Sequence, residues 1–164
     1  MSVLLAGGQV LSFERGTFER ADVLLEDDRI ADVGDLAAAE GRIRLDVGDM
    51  IVLPGLINAH THGHNNLARG LADRWTLEGL LNYGFALQSN RTPDDHYLSA
   101  AIGAIEMLKT GCTAAYDLYM ALPAADEAVL EAVVQAYTDV GLRVTLAPSA
   151  ADIPFHQALR RARL

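Results

Sequence analysis

The chain has 164 residues, 51% of them hydrophobic, and carries 13 Lys and Arg against 22 Asp and Glu for a formal net charge of −9. Its length fits roughly one domain of about 100–200 residues, and its apolar share excludes a disordered acidic tail. The acidic balance excludes a nucleic-acid binder, because phosphate neutralisation needs a basic face.

The first fifty residues hold 11 of the 22 acids and only 5 of the 13 bases, and they read as short strands. Val3 to Ala6 and Gln9 to Phe13 flank Gly7-Gly8, a dipeptide suited to a tight hairpin turn. Ala21 to Glu26 and Arg29 to Val33 flank Asp27-Asp28, a second hairpin with less ideal turn chemistry. Arg42 to Val47 alternates, with Ile43, Leu45 and Val47 on one face. Together these predict a small antiparallel β unit that needs a partner layer. Met1 to Leu11 has no basic n-region or small-residue cleavage site. No apolar run approaches the roughly 20 residues of a spanning helix. The expectation is a soluble, cytoplasmic chain with no membrane partner.

From Ile51 the pattern becomes strand, helix, strand, helix, strand, the signature of βαβ units on a parallel sheet. Leu56 to Thr61 reads as a buried strand after Pro54-Gly55, and helices follow over Leu77 to Gln88 and Pro93 to Lys109. Thr92 caps the second helix, Pro93 takes its first position, and Asp94 and Asp95 complement its positive end. Leu98, Ala101, Ile102, Ile105 and Leu108 form its apolar stripe, and Gly111 stops it. Cys112 to Tyr116 is a second buried strand, and its lone cysteine excludes an intrachain disulfide and a four-thiolate zinc site. Pro123 and Ala124 open a third helix, with Val129, Ala132, Val133 and Ala136 on one face and Gly141 as its stop. Leu142 to Ala147 is a third strand, ended by Pro148.

The chemistry concentrates in PGLINAHTHGHNN, Pro54 to Asn66. Side chains alternate along a strand, so His60 and His62 share a face. Two imidazoles on one face at the carboxyl end of a parallel strand can chelate a divalent metal, where open α/β sheets and barrels keep their sites. The bland alternative is a pair of solvated loop histidines. His64 has the same parity, but Gly63 breaks the strand before it. His64 and Asn66 are candidates to line a substrate pocket, as is Asp117 at the end of the second strand, where a capping or structural acid is the competing reading. Asp152 and His156 follow the third strand and border the same mouth. His96, in the first turn of a capped helix, is expected to be solvated. Trp75 and Tyr83 are expected to pack a helix on the sheet, with substrate contact the alternative for Trp75 near the first loop, and Arg69 either binds substrate or staples the loop.

Residues Ile51 to His62 (IVLPGLINAHTH), followed by LARGLA from Leu67 to Ala72, resemble the amidohydrolase superfamily in its deaminase and chlorohydrolase branch. ADVLLEDDRIADVG, Ala21 to Gly34, and LKTGCTAAYD, Leu108 to Asp117, are similar to the same proteins. Asn58 favours the deaminase-like branch. Hydantoinase and dihydroorotase relatives carry Asp there and use a carbamylated lysine, whereas the single lysine here, Lys109, lies on the second helix.

The resemblance implies an α/β fold, the N-terminal part of a metal-dependent (β/α)8 (TIM) barrel preceded by a small, sandwich-like β-strand unit. Residues 1–52 would be the β unit and 53–164 the first three βα units. A barrel typically needs about 250 residues, so the chain is expected to be truncated. His60 and His62 match the family's first-strand ligands for one divalent metal, zinc before iron. The family's later ligands and its proton-shuttling Glu have no counterpart, which leaves the catalytic acid and base unassigned. The implied enzyme hydrolyses non-peptide C–N bonds, deaminating a small ring or amidine substrate through a metal-activated water. Ring dechlorination or another amide hydrolysis is the alternative on the same site, and family habit implies a homo-oligomer. From a different class, the chain could be catalytically dead, binding metal weakly or serving as an interaction module.

Overall fold

A computed structural model of the chain describes residues 1–36, 43–121 and 125–149. The chain divides into two compact units, Met1–Pro54 and Gly55–Leu164.

In the first unit, β1 (Ser2–Ser12) is the centre of a five-stranded sheet. It pairs antiparallel with β2 (Thr17–Glu26), which in turn pairs antiparallel with β3 (Arg29–Gly34). On its other edge β1 pairs in parallel with β4 (Ile43–Asp46) and β5 (Ile51–Val52). Two expectations are corrected. The sheet is mixed, because alternation shows which residues share a face and not the direction of the neighbouring strand. Gly7-Gly8 is not a hairpin turn but a β-bulge inside one long strand, since the register slips by one residue between Leu5↔Val23 and Gly8↔Ala21. Gly7 takes φ +74°, and its N–H donates to Asp22 Oδ1 at 2.7 Å, as a bulge glycine does. The first turn falls later, where Gly16 at φ +63° donates to the Ser12 carbonyl. The Asp27-Asp28 hairpin forms as expected, pairing Glu26 with Arg29. Leu4, Ala6, Val23 and Leu24 are buried in this unit.

The second unit is a parallel sheet in the order β6 (Leu56–Thr61), β7 (Cys112–Tyr119), β8 (Arg143–Pro148). A 3-10 turn (Gly63–Ala68), α1 (Leu77–Gln88) and α2 (Pro93–Lys109) join β6 to β7, and α3 (Glu127–Val140) joins β7 to β8. Thr92 and Asp95 cap α2 reciprocally: Thr92 Oγ1 accepts the Asp95 N–H, and Asp95 Oδ2 accepts the Thr92 N–H. Asp126 caps α3 through the Val129 N–H, and Gly141 ends it at φ +82°. Pro123 and Ala124 lie outside the described residues, as do Asp152 and His156.

The core lies between the helices and β7, among Ala104, Ala115, Tyr119, Val133, Ala136 and Tyr137. The expected stripe of α2 is not its buried face. Leu98, Ile102 and Ile105 are exposed, while His96, Ser99, Ala100, Gly103 and Ala104 are buried. At Gly103 that face meets the Asn66 side chain closely: a Cβ there would stand 2.2 Å from Asn66 Nδ2, which is held by the Gly63 and Ser99 carbonyls. Strand β6 is likewise not buried, with Leu56 57% and Ile57 74% exposed. Among the described residues it has a partner on one edge only. Among the described residues, no helix is long and apolar enough to cross a membrane.

Candidate metal centre and adjoining cleft

Strand β6 ends at Thr61, and His60 and His62 flank that end with both rings exposed and 4.8 Å between centroids. His62 Nδ1 lies 2.9 Å from the Leu118 carbonyl oxygen. A carbonyl only accepts, so the Nδ1 proton sits in that bond and the Nε2 lone pair is left free. This is the outer contact that orients a ligating imidazole. Two free imidazoles side by side fit part of a divalent-metal ligand set. Among the described residues no group of three His, Cys, Asp or Glu gathers to complete one.

The turn behind these rings is held by buried bonds. Asp117, fully buried at the carboxyl end of β7, accepts the Gly63 N–H at 2.9 Å through Oδ1 and the Tyr137 hydroxyl at 2.5 Å through Oδ2. Burial raises the Asp117 carboxyl above its ordinary value, and the bonds from Tyr137 and Gly63 partly oppose that. The Gly63 carbonyl accepts from Ser99 Oγ at 2.7 Å and from Asn66 Nδ2 at 3.0 Å. A Cβ at Gly63 would meet both Asp117 Oδ2 and Tyr137 Oη at 2.5 Å, so only glycine fits. Asn66 also donates to the Ser99 carbonyl, and its Oδ1 accepts from Arg69 at 2.8 Å. Arg69 pairs in turn with Glu106 on α2. In this arrangement it staples the loop to α2.

His64 is 2% exposed. Its Nδ1 accepts the Met120 N–H at 3.1 Å, and Arg91 donates to its carbonyl. Burial, with His62, Arg91 and His96 adding, lowers its pKa to about 4. A cleft of about 290 Å³ is lined by His62, His64, Leu80, Gln88, Leu118 and Met120 among others. Neither Asn66 nor Asp117 is among its lining residues.

Three further placements differ from the sequence reading or escape it. His96 is not solvated: it is 1% exposed, and its Nδ1 lies 2.8 Å from the Tyr119 hydroxyl. Trp75 and Tyr83 are exposed by 38% and 63%, and their rings meet at a tilt of 52° with centroids 5.5 Å apart. Gln88 was missed by sequence reasoning. It is 4% exposed, donates to Asn65 Oδ1 at 3.0 Å, and leaves Oε1 buried without a partner among the described residues. Helical periodicity was the available signal, because Leu77, Leu80, Leu81, Gly84 and Gln88 fall on one face of α1 and all line the cleft.

The amidohydrolase family model matches residues 51–163. The chain belongs to the amidohydrolase family. It is 35% identical over 161 residues to the 5-methylthioadenosine/S-adenosylhomocysteine deaminase of Thermococcus kodakarensis, covering 98% of this chain and 38% of that protein. It is 32% identical over 154 residues to the 5′-deoxyadenosine deaminase of Methanothermobacter thermautotrophicus, covering 93% and 34%. Atrazine chlorohydrolase from Arthrobacter aurescens, crystallised with zinc, superposes with a TM-score of 0.83 at 27% identity, over 94% of this chain and 37% of that one. The chain thus spans little more than a third of the length of these relatives, and its fold is the N-terminal part of theirs. The expected family and fold class both stand.

Proposed function

We propose that the protein is a metal-dependent hydrolase that deaminates a small ring substrate, with His60 and His62 as the metal ligands this chain contributes. The observation that carries the reading is the pair of adjacent, exposed imidazoles at the end of the first parallel strand, with His62 held by Leu118 so that Nε2 is free. Its relatives' activities make a 5′-modified adenosine, such as 5′-methylthioadenosine, the first substrate to test. The zinc in the related chlorohydrolase favours zinc over iron. A divalent ion there supplies Lewis-acid activation of water. Water then adds at the ring carbon, the exocyclic C–N bond breaks and ammonia leaves.

The chain's residues divide that work. Asp117, Tyr137, Ser99 and Asn66 hold the turn that follows the ligands, and of the three residues expected to touch substrate, His64 alone is kept in that role. Gln88 Oε1, a buried acceptor without a partner among the described residues, suits a substrate hydroxyl or amino group, which would relieve the cost of an unpaired polar atom. Ring dechlorination is the second reading, favoured by the chlorohydrolase superposition.

The test is ammonia release from 5′-methylthioadenosine and 5′-deoxyadenosine by the protein expressed from its natural gene. Activity should fall on chelation and return with zinc. Chloride release from a chlorinated triazine, without ammonia from either nucleoside, would favour the second reading. Activity persisting after complete metal removal would overturn both.

A further inference from the structure

His62 and His64 are two residues apart, and the end of β7 fixes them in opposite tautomers. The Leu118 carbonyl accepts a hydrogen bond from His62 Nδ1–H, so the Nε2 of the neutral His62 ring carries a lone pair. The Met120 N–H donates to His64 Nδ1, so the neutral His64 ring carries its proton on Nε2. A ring flip at His64 would set a C–H against the Met120 amide and leave that part-buried donor unpaired. Packing resists it too, with the rings of His62 and Tyr119 edge-on at 5.5 Å and 5.6 Å. No hydrogen bond engages His64 Nε2 among the described residues. The ring nevertheless lines the cleft beside His62, whose other walls include the apolar side chains of Leu77, Leu80, Leu81, Leu118 and Met120.

We propose that His64 is a substrate-contacting hydrogen-bond donor of fixed tautomer, held off the metal, and that it selects substrates turning a ring-nitrogen or oxygen lone pair toward it. This rests on the reading of His60 and His62 as ligands and of the cleft as the substrate site. A protonated Nε2 cannot ligate, so His64 is not a third ligand despite its parity with the other two. A compound presenting an N–H at the same place would set donor against donor and be rejected.

The experiment uses the protein expressed from its natural gene, labelled with 15N-histidine, with and without zinc. His64 should show an unprotonated Nδ1 and a protonated Nε2 in both spectra, while zinc shifts His62 at Nε2. His64→Phe should keep the zinc content and raise KM for 5′-methylthioadenosine about tenfold with a smaller change in kcat. His64→Gln can accept from Met120 and still donate into the cleft, so it should return KM toward wild type. Loss of the Nε2 proton on adding zinc, loss of zinc from both variants, or an unmoved KM would each overturn the proposal. If the wild type releases no ammonia from the nucleoside, the deaminase reading falls separately. The tautomer and zinc content then decide whether His64 stands off the metal.

Discussion

His60 and His62, at the end of β6, and Gly63 to Arg69, in the turn behind them, are neighbours in sequence with opposite fates. The two rings are exposed, and among the described residues only one of their ring nitrogens is tied to the protein, His62 Nδ1 to Leu118. Around the turn, Gly63 has both backbone groups bonded, and Asp117 has both oxygens engaged. The difference teaches how a short stretch divides its work. The exposed rings keep ring nitrogens unbonded among the described residues, and the buried groups beside them are consumed in holding the turn still.

The sharpest way to break that division is to remove a free ring. His60→Ala should abolish metal binding and lower ammonia release by more than about a hundredfold. Being exposed, it should shift metal-free stability by no more than about 0.5 kcal/mol. Elemental analysis and urea unfolding of the apo protein check both halves. A variant that keeps full metal content would remove His60 from the ligand set.

Acid should strike the buried region instead. His64 has an ordinary value of 6.5 and a native one of about 4, so the unfolded chain binds its proton more readily. Its contribution to stability is complete above pH 6.5 and is lost as pH falls through about 4, by roughly 3 kcal/mol. Asp117, raised by burial, has the opposite sign: its contribution is lost as pH rises through its native value. Because Asp117 is common to wild type and His64→Gln, the difference between their stability curves isolates His64. That difference should shrink as pH falls from 6.5 toward 4, and a constant gap would mean His64 is solvated.

The strand-helix alternation, the α2 cap and the His60–His62 pair were legible because each depends on local chemistry. Thr92 and Asp95 need only one turn of helix to find each other, and His-x-His needs only a strand's period. Partners brought from afar were not legible. Nothing near His96 in the sequence announces the Tyr119 hydroxyl, and nothing near Asp117 announces Gly63 or Tyr137. The stripe on α2 misled for a related reason. Hydrophobicity ranks Leu98 and Ile102 above Ser99 and Gly103, but the Asn66 side chain leaves no room for a Cβ at Gly103, and Ser99 bonds the Gly63 carbonyl. The Gly7 bulge failed differently, since positive φ suits a bulge as well as a turn and only the pairing with β2 decides between them.

The smallest expected effect lies at the outer end of the turn. Arg69 joins Asn66 to Glu106, and the two charged side chains are 49% and 53% exposed. Water already solvates such a pair well, so its coupling in a double-mutant cycle with Arg69→Met and Glu106→Gln should be about 0.2–1 kcal/mol. Asn66 keeps its bonds to Gly63 and Ser99 when Arg69 is lost, so the His60–His62 geometry should survive. Zinc content and KM should therefore stay at wild-type values while stability falls slightly. A tenfold rise in KM at unchanged stability would place Arg69 on the substrate and return it to the region of free groups.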